Sequence, residues 1–243
     1  MPSTQSTTNT SRLRVCPYCG NPYPMITIPA LWDIPARTIQ SKSCGCAGEK
    51  QASEKFWHQY RVDERERALR KAGIPEIYWD IDEDATYLEA IEDGGLFIHG
   101  KVGRGKTWLA VATMKAWMNR NRYERAVFTD AMGFFSHIRK AYDTGDTERE
   151  AMWRFIGAKL LVFDDFGKGK PSEWALERIE DVVQERYVTG RPTIFTSQWS
   201  GAALIDRLAE GGSGESATAI VSRIVQKCKT VELTGPDRRM QSL

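Results

Sequence analysis

The stretch Leu96-Phe-Ile-His-Gly-Lys-Val-Gly-Arg-Gly-Lys-Thr107 decides the fold of this chain. It begins as an apolar, strand-like run and continues as G-x-x-x-x-G-K-T, the pattern of a phosphate-binding loop. Glycines let backbone N–H groups turn towards phosphate oxygens, where side chains would block the approach. A helix-like run from Trp108 to Trp117 follows, and its positive N-terminus faces the same anion. The strand, loop and helix together predict a nucleotide-binding site.

Two side chains of this loop carry the predicted chemistry. Lys106 can reach the β- and γ-phosphates of ATP, and the hydroxyl of Thr107 can ligate Mg²⁺. The residues predicted to surround the nucleotide phosphates are Gly100, Gly103, Arg104, Gly105, Lys106, Thr107 and Trp108.

A second apolar run, Lys159–Phe163, ends in the acidic pair Asp164 and Asp165. ATP hydrolysis needs a carboxylate that holds Mg²⁺ and a group that orients the attacking water. We predict that Asp164 takes the first role and that Asp165 takes the second, as general base. Two acids at a strand end can also be solvated loop residues, and the phosphate loop upstream is what favours the catalytic interpretation.

A third apolar run, Pro192–Thr196, leads into further polar residues. In a parallel sheet it could place Gln198, or a hydroxyl of Thr196 or Ser197, between the carboxylates and the γ-phosphate. The alternative is that this strand ends in an ordinary turn.

The bulk composition limits the class of protein. The chain has 243 residues, a hydrophobic content of 41% and a formal net charge of +2, which suits a globular domain with a small appendage. No apolar run has the length of a membrane span, and the polar N-terminus lacks the apolar segment of a secretory signal. We therefore expect a cytoplasmic protein with no membrane partner. Residues 1–72 hold 11 Lys and Arg against 6 Asp and Glu, which permits nucleic acid or an acidic partner there without demanding either.

Composition divides the chain into four predicted segments. We expect a disordered tail over 1–12, a cysteine-containing module over 13–48, a charged linker helix over 49–72 and an α/β domain over 73–243. In the last segment, short apolar runs alternate with helical patterns, which predicts a parallel five-stranded sheet with helices on both faces. The predicted strands are Leu96–His99, Ala126–Thr129, Lys159–Phe163, Pro192–Thr196 and Thr230–Leu233. The predicted helices are 106–120, 131–142, 147–157, 172–188 and 214–227.

Four of the five cysteines lie in the N-terminal segment in the pattern C-x₂-C…C-x-C, as Cys16, Cys19, Cys44 and Cys46. Two close pairs of thiolates satisfy tetrahedral zinc, so we predict a structural Zn²⁺ site. A module this small cannot hold a core without its metal. Disulfide pairing is the alternative, which a reducing cytosol disfavours. A zinc ribbon that touches DNA also stays open, given the nearby cations Arg12, Arg14, Arg37 and Lys42.

Together these motifs resemble the AAA+ superfamily, and more narrowly the DnaC/DnaI-type helicase loaders and the related IstB-type transposition ATPases. The resemblance runs from about Ala72 to Arg239 and includes AGIPEIYWD, GKVGRGKT, LLVFDDFG, PTIFTSQWS, SRIVQ and GPDRR. It implies a AAA+ P-loop core without a full lid domain, which self-associates and is preceded by a zinc module and a linker helix. It also implies that Ile74 and Tyr78 pack near the adenine base.

The resemblance implies further residue roles. Arg223 resembles the arginine finger that reaches the ATP of a neighbouring subunit, with Arg207 as the alternative. Arg238 or Arg239 resembles a sensor near the C-terminus. The segment 131–157 resembles a helical insertion that faces single-stranded DNA, although at least one of its two phenylalanines is expected to pack in the core. Its residues with suitable chemistry, aromatic stacking and positive charge, are Phe134, Phe135, Arg139, Lys140 and Tyr142.

These features predict a helicase loader that uses ATP and Mg²⁺ and delivers a replicative hexameric DNA helicase to single-stranded DNA. Gln198 stands where the family has a sensor asparagine, so we expect hydrolysis to be slow or differently tuned. Two alternatives remain: an IstB-type ATPase that assists DNA transposition, and an ATP-switched interaction module that does not hydrolyse. The zinc-binding head favours the loader, because it is not the usual layout of the IstB type.

Overall fold

The computed structural model describes residues 14–29 and 36–238. The chain folds as two compact units, Met1–Glu64 and Arg65–Leu243. The division falls within helix α1 (Ala47–Ala72), which the sequence predicts over 49–72. The predicted tail over 1–12 lies outside the described residues.

The N-terminal unit contains an antiparallel hairpin that the sequence analysis did not predict. Its strands are β1 (Met25–Ile28) and β2 (Arg37–Gln40). The Gln40 side chain joins the hairpin to the start of the first cysteine turn: its Nε2 donates to the Arg14 carbonyl (2.6 Å), and its Oε1 accepts from the Arg14 N–H (2.8 Å). Among the described residues of this unit, Cys16 alone is buried. So little buried surface cannot stabilise a fold by itself, which agrees with a fold that depends on a metal.

The second unit is built on a fully parallel sheet of five strands, as predicted. These strands are β3 (Gly95–His99), β4 (Ala126–Asp130), β5 (Leu160–Phe166), β6 (Thr193–Ser197) and β7 (Lys229–Glu232). Their spatial order is β4-β5-β6-β3-β7. Because β6 lies between β3 and β5, its carboxyl end stands between the phosphate loop and the acidic pair.

Helices cover both faces of this sheet, which confirms the predicted architecture. They are α2 (Leu88–Asp93), α3 (Lys106–Arg120), α4 (Ala131–Thr144), α5 (Glu148–Ile156), α6 (Glu173–Val188), α7 (Gly201–Ala209) and α8 (Gly214–Lys227). Alternate strand residues enter different cores: Phe97 packs with α4 to α8, whereas Leu96 and Ile98 pack with α2 and α3. Helices α2 and α7 were not predicted from the sequence. In the described part of the chain, no helix combines the length and apolarity that a membrane span requires.

Candidate nucleotide and metal sites

The phosphate loop connects β3 to α3. Gly103 (φ 76°) and Gly105 (φ 87°) adopt left-handed backbone conformations that side chains disfavour. Helix α3 begins at Lys106 with no side-chain cap, so no capping side chain occupies its first N–H groups. Lys106 is buried, and its ammonium donates to the carbonyls of Gly100 (2.8 Å) and Lys101 (2.9 Å). A helix N-terminus and a held cation in one loop suit a phosphate group.

Thr107 and Asp164, the predicted Mg²⁺ ligands, are in direct contact. The Thr107 hydroxyl lies 3.0 Å from both carboxylate oxygens of Asp164. The Thr196 hydroxyl, on β6, donates to Asp164 Oδ1 at 2.6 Å. Burial raises the pKa of Asp164; the Thr196 hydrogen bond opposes this shift, and the charge of Asp165 adds to it. A carboxylate and a hydroxyl are the hard oxygen ligands that Mg²⁺ prefers, so these residues fit the ion.

Asp165 has surroundings that differ from those of Asp164. Its backbone is left-handed (φ 50°), and the pairing of β5 with β6 is irregular between Phe163 and Phe166. Its N–H donates to the Thr196 hydroxyl (2.9 Å), and its carboxylate accepts from the Lys168 ammonium (2.9 Å). This contact raises the pKa of Lys168. Asp165 is half-buried and lines a cleft beside the phosphate loop, where a carboxylate can orient a water molecule.

The structure separates the three polar residues at the end of β6. Thr196 contacts the acidic pair, whereas Ser197 donates its hydroxyl to the Phe166 carbonyl (2.8 Å). Gln198 lines the cleft. Of these three, Gln198 is therefore the one whose side chain can contact a ligand in the cleft.

The cleft brings the phosphate loop, the acidic segment and two further segments together. It is lined by Tyr78, Val102, Gly103, Gly105, Lys106, Thr107, Trp108, Asp165, Lys168, Gln198 and Arg238. Tyr78 lies where a nucleotide base could reach it, whereas Ile74 is buried in the core and does not line the cleft. The sequence analysis missed Val102 and Lys168. The signal for Lys168 is its position three residues after Asp165.

The segment after β7 returns to the phosphate loop. The Arg238 N–H donates to the Gly103 carbonyl at 2.9 Å, which explains why Arg238 lines the cleft. Its predicted alternative, Arg239, lies outside the described residues. Arg104, in the middle of the loop, is half-buried, and its Nη1 has no hydrogen-bond partner.

The two arginines predicted as trans-acting fingers lie away from the cleft of their own chain. Arg223, on α8, pairs with Glu180 of α6 at 3.7 Å. Arg207, on α7, pairs with Glu210 at 2.7 Å and lies over the Trp199 ring, 5.3 Å from its centroid. Because neither arginine lines the cleft, a finger role requires a neighbouring subunit and stays a prediction.

Phe134, predicted to stack on DNA, is part of the core. Its side chain is fully buried, and its ring centroid lies 4.8 Å from that of Phe155 and 5.4 Å from that of Phe163. The DNA-binding prediction for Phe134 is therefore wrong, because no face of the ring is open to a base. Core packing was the expectation for at least one phenylalanine of this helix.

The other predicted DNA-contacting residues of α4 are more accessible. Phe135 is half-buried against Trp174, with 5.7 Å between the ring centroids. Arg139 and Lys140 are exposed, and the Arg139 guanidinium lies 6.0 Å from the centroid of the same Trp174 ring. Their contact with nucleic acid stays a prediction.

The four N-terminal cysteine sulfurs converge on one point. All four Sγ atoms lie within 4.8 Å of one another; Cys16 and Cys46 are 3.7 Å apart, and Cys19 and Cys44 are 3.8 Å apart. All four are free thiols rather than disulfides. Zinc–sulfur bonds of about 2.3 Å in a tetrahedron separate the sulfurs by roughly 3.8 Å. The cluster therefore has the spacing of a tetrahedral zinc site.

Glu49, in the first turn of α1, stabilises the second cysteine pair. Its Oε2 accepts from the N–H groups of Cys44 (2.9 Å) and Gly45 (2.7 Å) and from the Ser43 hydroxyl (2.8 Å). These bonds lower the pKa of Glu49, the one from Ser43 most of all. The sequence analysis did not single out this residue, although an acidic side chain three positions after Cys46 was a visible signal.

The fold and the cleft define a P-loop nucleotide-binding protein of the α/β class, and comparison with known proteins narrows this class. Residues 85–243 match the family of IstB-like ATP-binding proteins, and the chain belongs to that family. It is also similar to the replicative helicase loader DnaI of Bacillus subtilis (strain 168), with 24% identity over 159 residues that cover 63% of this chain and 50% of DnaI. The chain thus spans about half the length of that relative.

Solved structures of helicase loaders share the fold. The DnaC helicase loader superimposes with a TM-score of 0.55 at 24% identity, covering 66% of this chain and 100% of DnaC. A DnaI structure superimposes with a TM-score of 0.51 at 24% identity, covering 74% of this chain and 84% of that one. The resemblance inferred from the motifs is therefore confirmed at the level of family and fold.

Proposed function

We propose that this chain is a helicase loader, which uses ATP to deliver a replicative hexameric helicase to single-stranded DNA. The observation that carries the proposal is the presence of two sites in one chain: a P-loop cleft with its acidic pair, and a separate four-cysteine unit with zinc spacing. Similarity to the loader DnaI supports the same assignment. The nucleotide bound in the second unit would then control the affinity of the N-terminal unit for a partner.

In the cleft, the N-terminus of α3 and Lys106 bind the phosphates of ATP. Thr107 and Asp164 hold Mg²⁺, which when bound neutralises charge on the phosphates. Asp165 accepts a hydrogen bond from the attacking water, and Gln198 contacts the γ-phosphate. Arg223 of a neighbouring subunit supplies positive charge to the same phosphate, which makes turnover depend on self-association.

Three exposed aromatic residues on α1 offer a contact for the helicase. Phe56, Trp57 and Tyr60 form a cluster in which ring centroids of neighbours are 5.4 Å (Phe56 and Trp57) and 5.7 Å (Trp57 and Tyr60) apart. Exposed aromatic clusters are typical of protein interfaces, because they bury much apolar area at a small entropic cost. The four-cysteine site holds the start of the same helix through Glu49.

Helix α4 provides the proposed binding surface for single-stranded DNA. Arg139 and Lys140 are exposed cations, and Phe135 with Trp174 forms an aromatic surface next to them. Cations that follow the backbone and rings that stack on bases are the usual elements of single-strand binding.

Light scattering of the full chain mixed with the replicative helicase of its host, with ATP and with ADP, tests the loader. We expect a discrete complex whose amount depends on the nucleotide. The double variant Phe56→Ala/Trp57→Ala should lose it, whereas Val188→Ala, which removes an exposed apolar side chain of α6, should keep it. If no complex forms with either nucleotide, the loader proposal fails.

The family match favours a second candidate, an IstB-type ATPase that assists DNA transposition. Long ATP-dependent assemblies on duplex DNA, without a helicase complex, would replace the loader with this candidate.

Hydrolysis has a separate test. Asp165→Asn should keep ATP binding and abolish phosphate release, since the amide cannot act as a base. If the unmodified chain releases no phosphate with DNA and helicase present, the protein is an ATP-switched binding module instead of an enzyme.

A further inference from the structure

The buried residue Lys115 holds the segment 74–84, which contains Tyr78 and borders the part of the cleft where the nucleotide base is proposed to bind. It lies in the third turn of α3 and is 2% exposed. Its ammonium donates to the carbonyl of Trp79 at 2.7 Å and also to that of Ile81. Burial lowers the pKa of Lys115, and the charge of Arg65 adds to the shift. A buried cation is costly, so its presence in the interior of this helix points to a specific task.

The segment that Lys115 holds has little regular structure of its own. It contains one turn of 3₁₀ helix, Glu76–Tyr78. The Trp79 Nε1–H donates to the Ile74 carbonyl at 2.9 Å, and the Asp84 N–H donates to the Ala112 carbonyl of α3 at 3.2 Å. Asn119 also donates to Glu83 (3.1 Å) and Arg70 pairs with Glu76 (3.4 Å), both at exposed side chains, whereas the two bonds from Lys115 come from a buried cation to the backbone of the segment.

Tyr78 immediately precedes the carbonyl that Lys115 binds, and it lines the cleft together with Trp108 of α3. Lys106 and Lys115 are nine residues apart on the same helix, about 14 Å along its axis. One rigid helix therefore carries the phosphate-binding cation at its start and the anchor of the Tyr78 segment in its third turn.

We propose that Lys115 is a positioning residue for the nucleoside end of the site: by binding the Trp79 and Ile81 carbonyls, it fixes Tyr78 at the distance from the phosphate loop that an adenine base requires. The inference rests on the proposed nucleotide site and assigns part of its affinity for the base to α3. Lys115 itself touches no ligand. Its loss should weaken binding of the base and leave binding of the phosphates nearly unchanged.

The test compares two ligands of the full chain, MgATP and magnesium tripolyphosphate, which keeps the phosphates and lacks base and ribose. For the parent, titration calorimetry should show tighter binding of MgATP. Lys115→Met keeps the length and apolar stem of the side chain and removes the donor. It should weaken MgATP binding roughly tenfold, within the range that stacking of a base on an aromatic ring contributes, and change tripolyphosphate binding by less than about twofold.

Arg186→Lys is the matched control. Arg186 is also a buried cation, 3% exposed, and its Nη1 donates to the carbonyls of Phe155 (2.8 Å) and Ala158 (2.8 Å). These carbonyls precede β5, at the amino end of the parallel strands, whereas the phosphate loop lies at their carboxyl end. The control should lower thermal stability and leave the ratio of the two affinities unchanged.

Trp79→Phe gives a second route if Lys115→Met does not fold. It removes the Nε1 bond to the Ile74 carbonyl and part of the ring over which the Arg70 guanidinium lies (5.1 Å from its centroid), and it should lower the affinity ratio in the same direction. Equal affinity of the parent for both ligands would refute the base site and the role of Lys115 together. A parent that prefers MgATP, with the ratio unchanged in Lys115→Met (or in Trp79→Phe where Lys115→Met does not fold), would refute the role of Lys115 alone. Equal weakening of both ligands would also refute it, since that is the result of a general structural defect.

Discussion

Thr196→Val tests how β6 is coupled to the acidic pair. The Thr196 side chain is fully buried; its hydroxyl donates to Asp164 Oδ1 at 2.6 Å and accepts from the Asp165 N–H at 2.9 Å. Valine keeps the shape and removes both bonds. A hydrogen bond to a charged group contributes about 1.5–3 kcal/mol, and a neutral one contributes about 1 kcal/mol. We expect the free energy of unfolding to fall by roughly 2–4 kcal/mol at neutral pH.

The loss should depend on pH, because the Thr196 hydroxyl stabilises the ionised form of Asp164. Burial already raises the pKa of Asp164, so the folded state binds this proton more tightly than the unfolded state. The contribution of such a group to stability is fully present below the unfolded pKa and is lost as pH rises through the folded pKa. Removing the hydroxyl raises the folded pKa of Asp164 further. The difference in stability between parent and variant should therefore grow from about pH 4 to about pH 7.

Urea unfolding followed by circular dichroism, at both ends of this pH range, measures the effect. Thr113→Val is the control: Thr113 is also fully buried, but its hydroxyl has no hydrogen-bond partner. Its removal should leave stability unchanged or slightly higher. The reasoning is refuted if Thr196→Val destabilises no more than Thr113→Val, or if its effect is the same at both pH values.

Three further predictions concern the phosphate loop, the zinc site and the core. Lys106→Ala should abolish ATP binding in a calorimetric titration, because it removes the cation that the phosphates require, whereas Lys101→Ala, exposed in the same loop, should bind normally; retained affinity in the first would contradict the site. Glu49→Gln should weaken zinc binding roughly tenfold in competition with a chelator, since the carboxylate orients the second cysteine pair, and Glu54→Gln on the same helix should not. Phe134→Ala should lower the free energy of unfolding by about 3–5 kcal/mol in urea, because it empties a fully buried site; a loss below about 1 kcal/mol would contradict the burial.

Strands β3, β5 and β6 of the second unit could be predicted from the sequence because they are buried on both faces. A run such as Leu160–Phe163 is continuously apolar, and the structure extends it only to Phe166. The hairpin of the N-terminal unit was not predicted, although β1 has the short apolar sequence Met25-Ile-Thr-Ile28; these side chains are exposed, so the run does not mark a core strand. Helix α2 has six residues, too few for a helical period to stand out from a loop. Helix α7 has nine residues, as many as the predicted α5, and its buried Leu204 and Leu208, four apart, were a usable helical signal.

The phosphate loop could be predicted because the spacing of its residues along the sequence identifies it. The contacts of the acidic pair depend instead on how neighbouring strands are paired, which the sequence does not show. The sequence shows that polar residues end β6, but only the order β5-β6-β3 and the pairing register show that Thr196, rather than Gln198, contacts Asp164. The sequence does contain the signal that Phe134 is a core residue. Phe134, Ile138 and Ala141 are the buried residues of α4, and their spacing of four and then three residues marks the core face of a helix.

Two adjacent aspartates, Asp164 and Asp165, differ in their contacts because of the backbone between them. In a regular strand, Asp164 and Asp165 would point to opposite faces of the sheet. Here the irregular pairing of β5 with β6 and the left-handed backbone of Asp165 (φ 50°) bring one carboxylate and the next N–H to the same hydroxyl, that of Thr196.

Residue 165 is therefore constrained twice, by the carboxylate that its proposed role as a base needs and by a backbone conformation that few side chains adopt. Asp and Asn are enriched among residues with positive φ, whereas β-branched or bulky residues are strained there. Asp165→Asn changes the chemistry and keeps the conformation. Asp165→Ala changes both, so a loss of turnover in that variant would not distinguish a missing base from a displaced strand end.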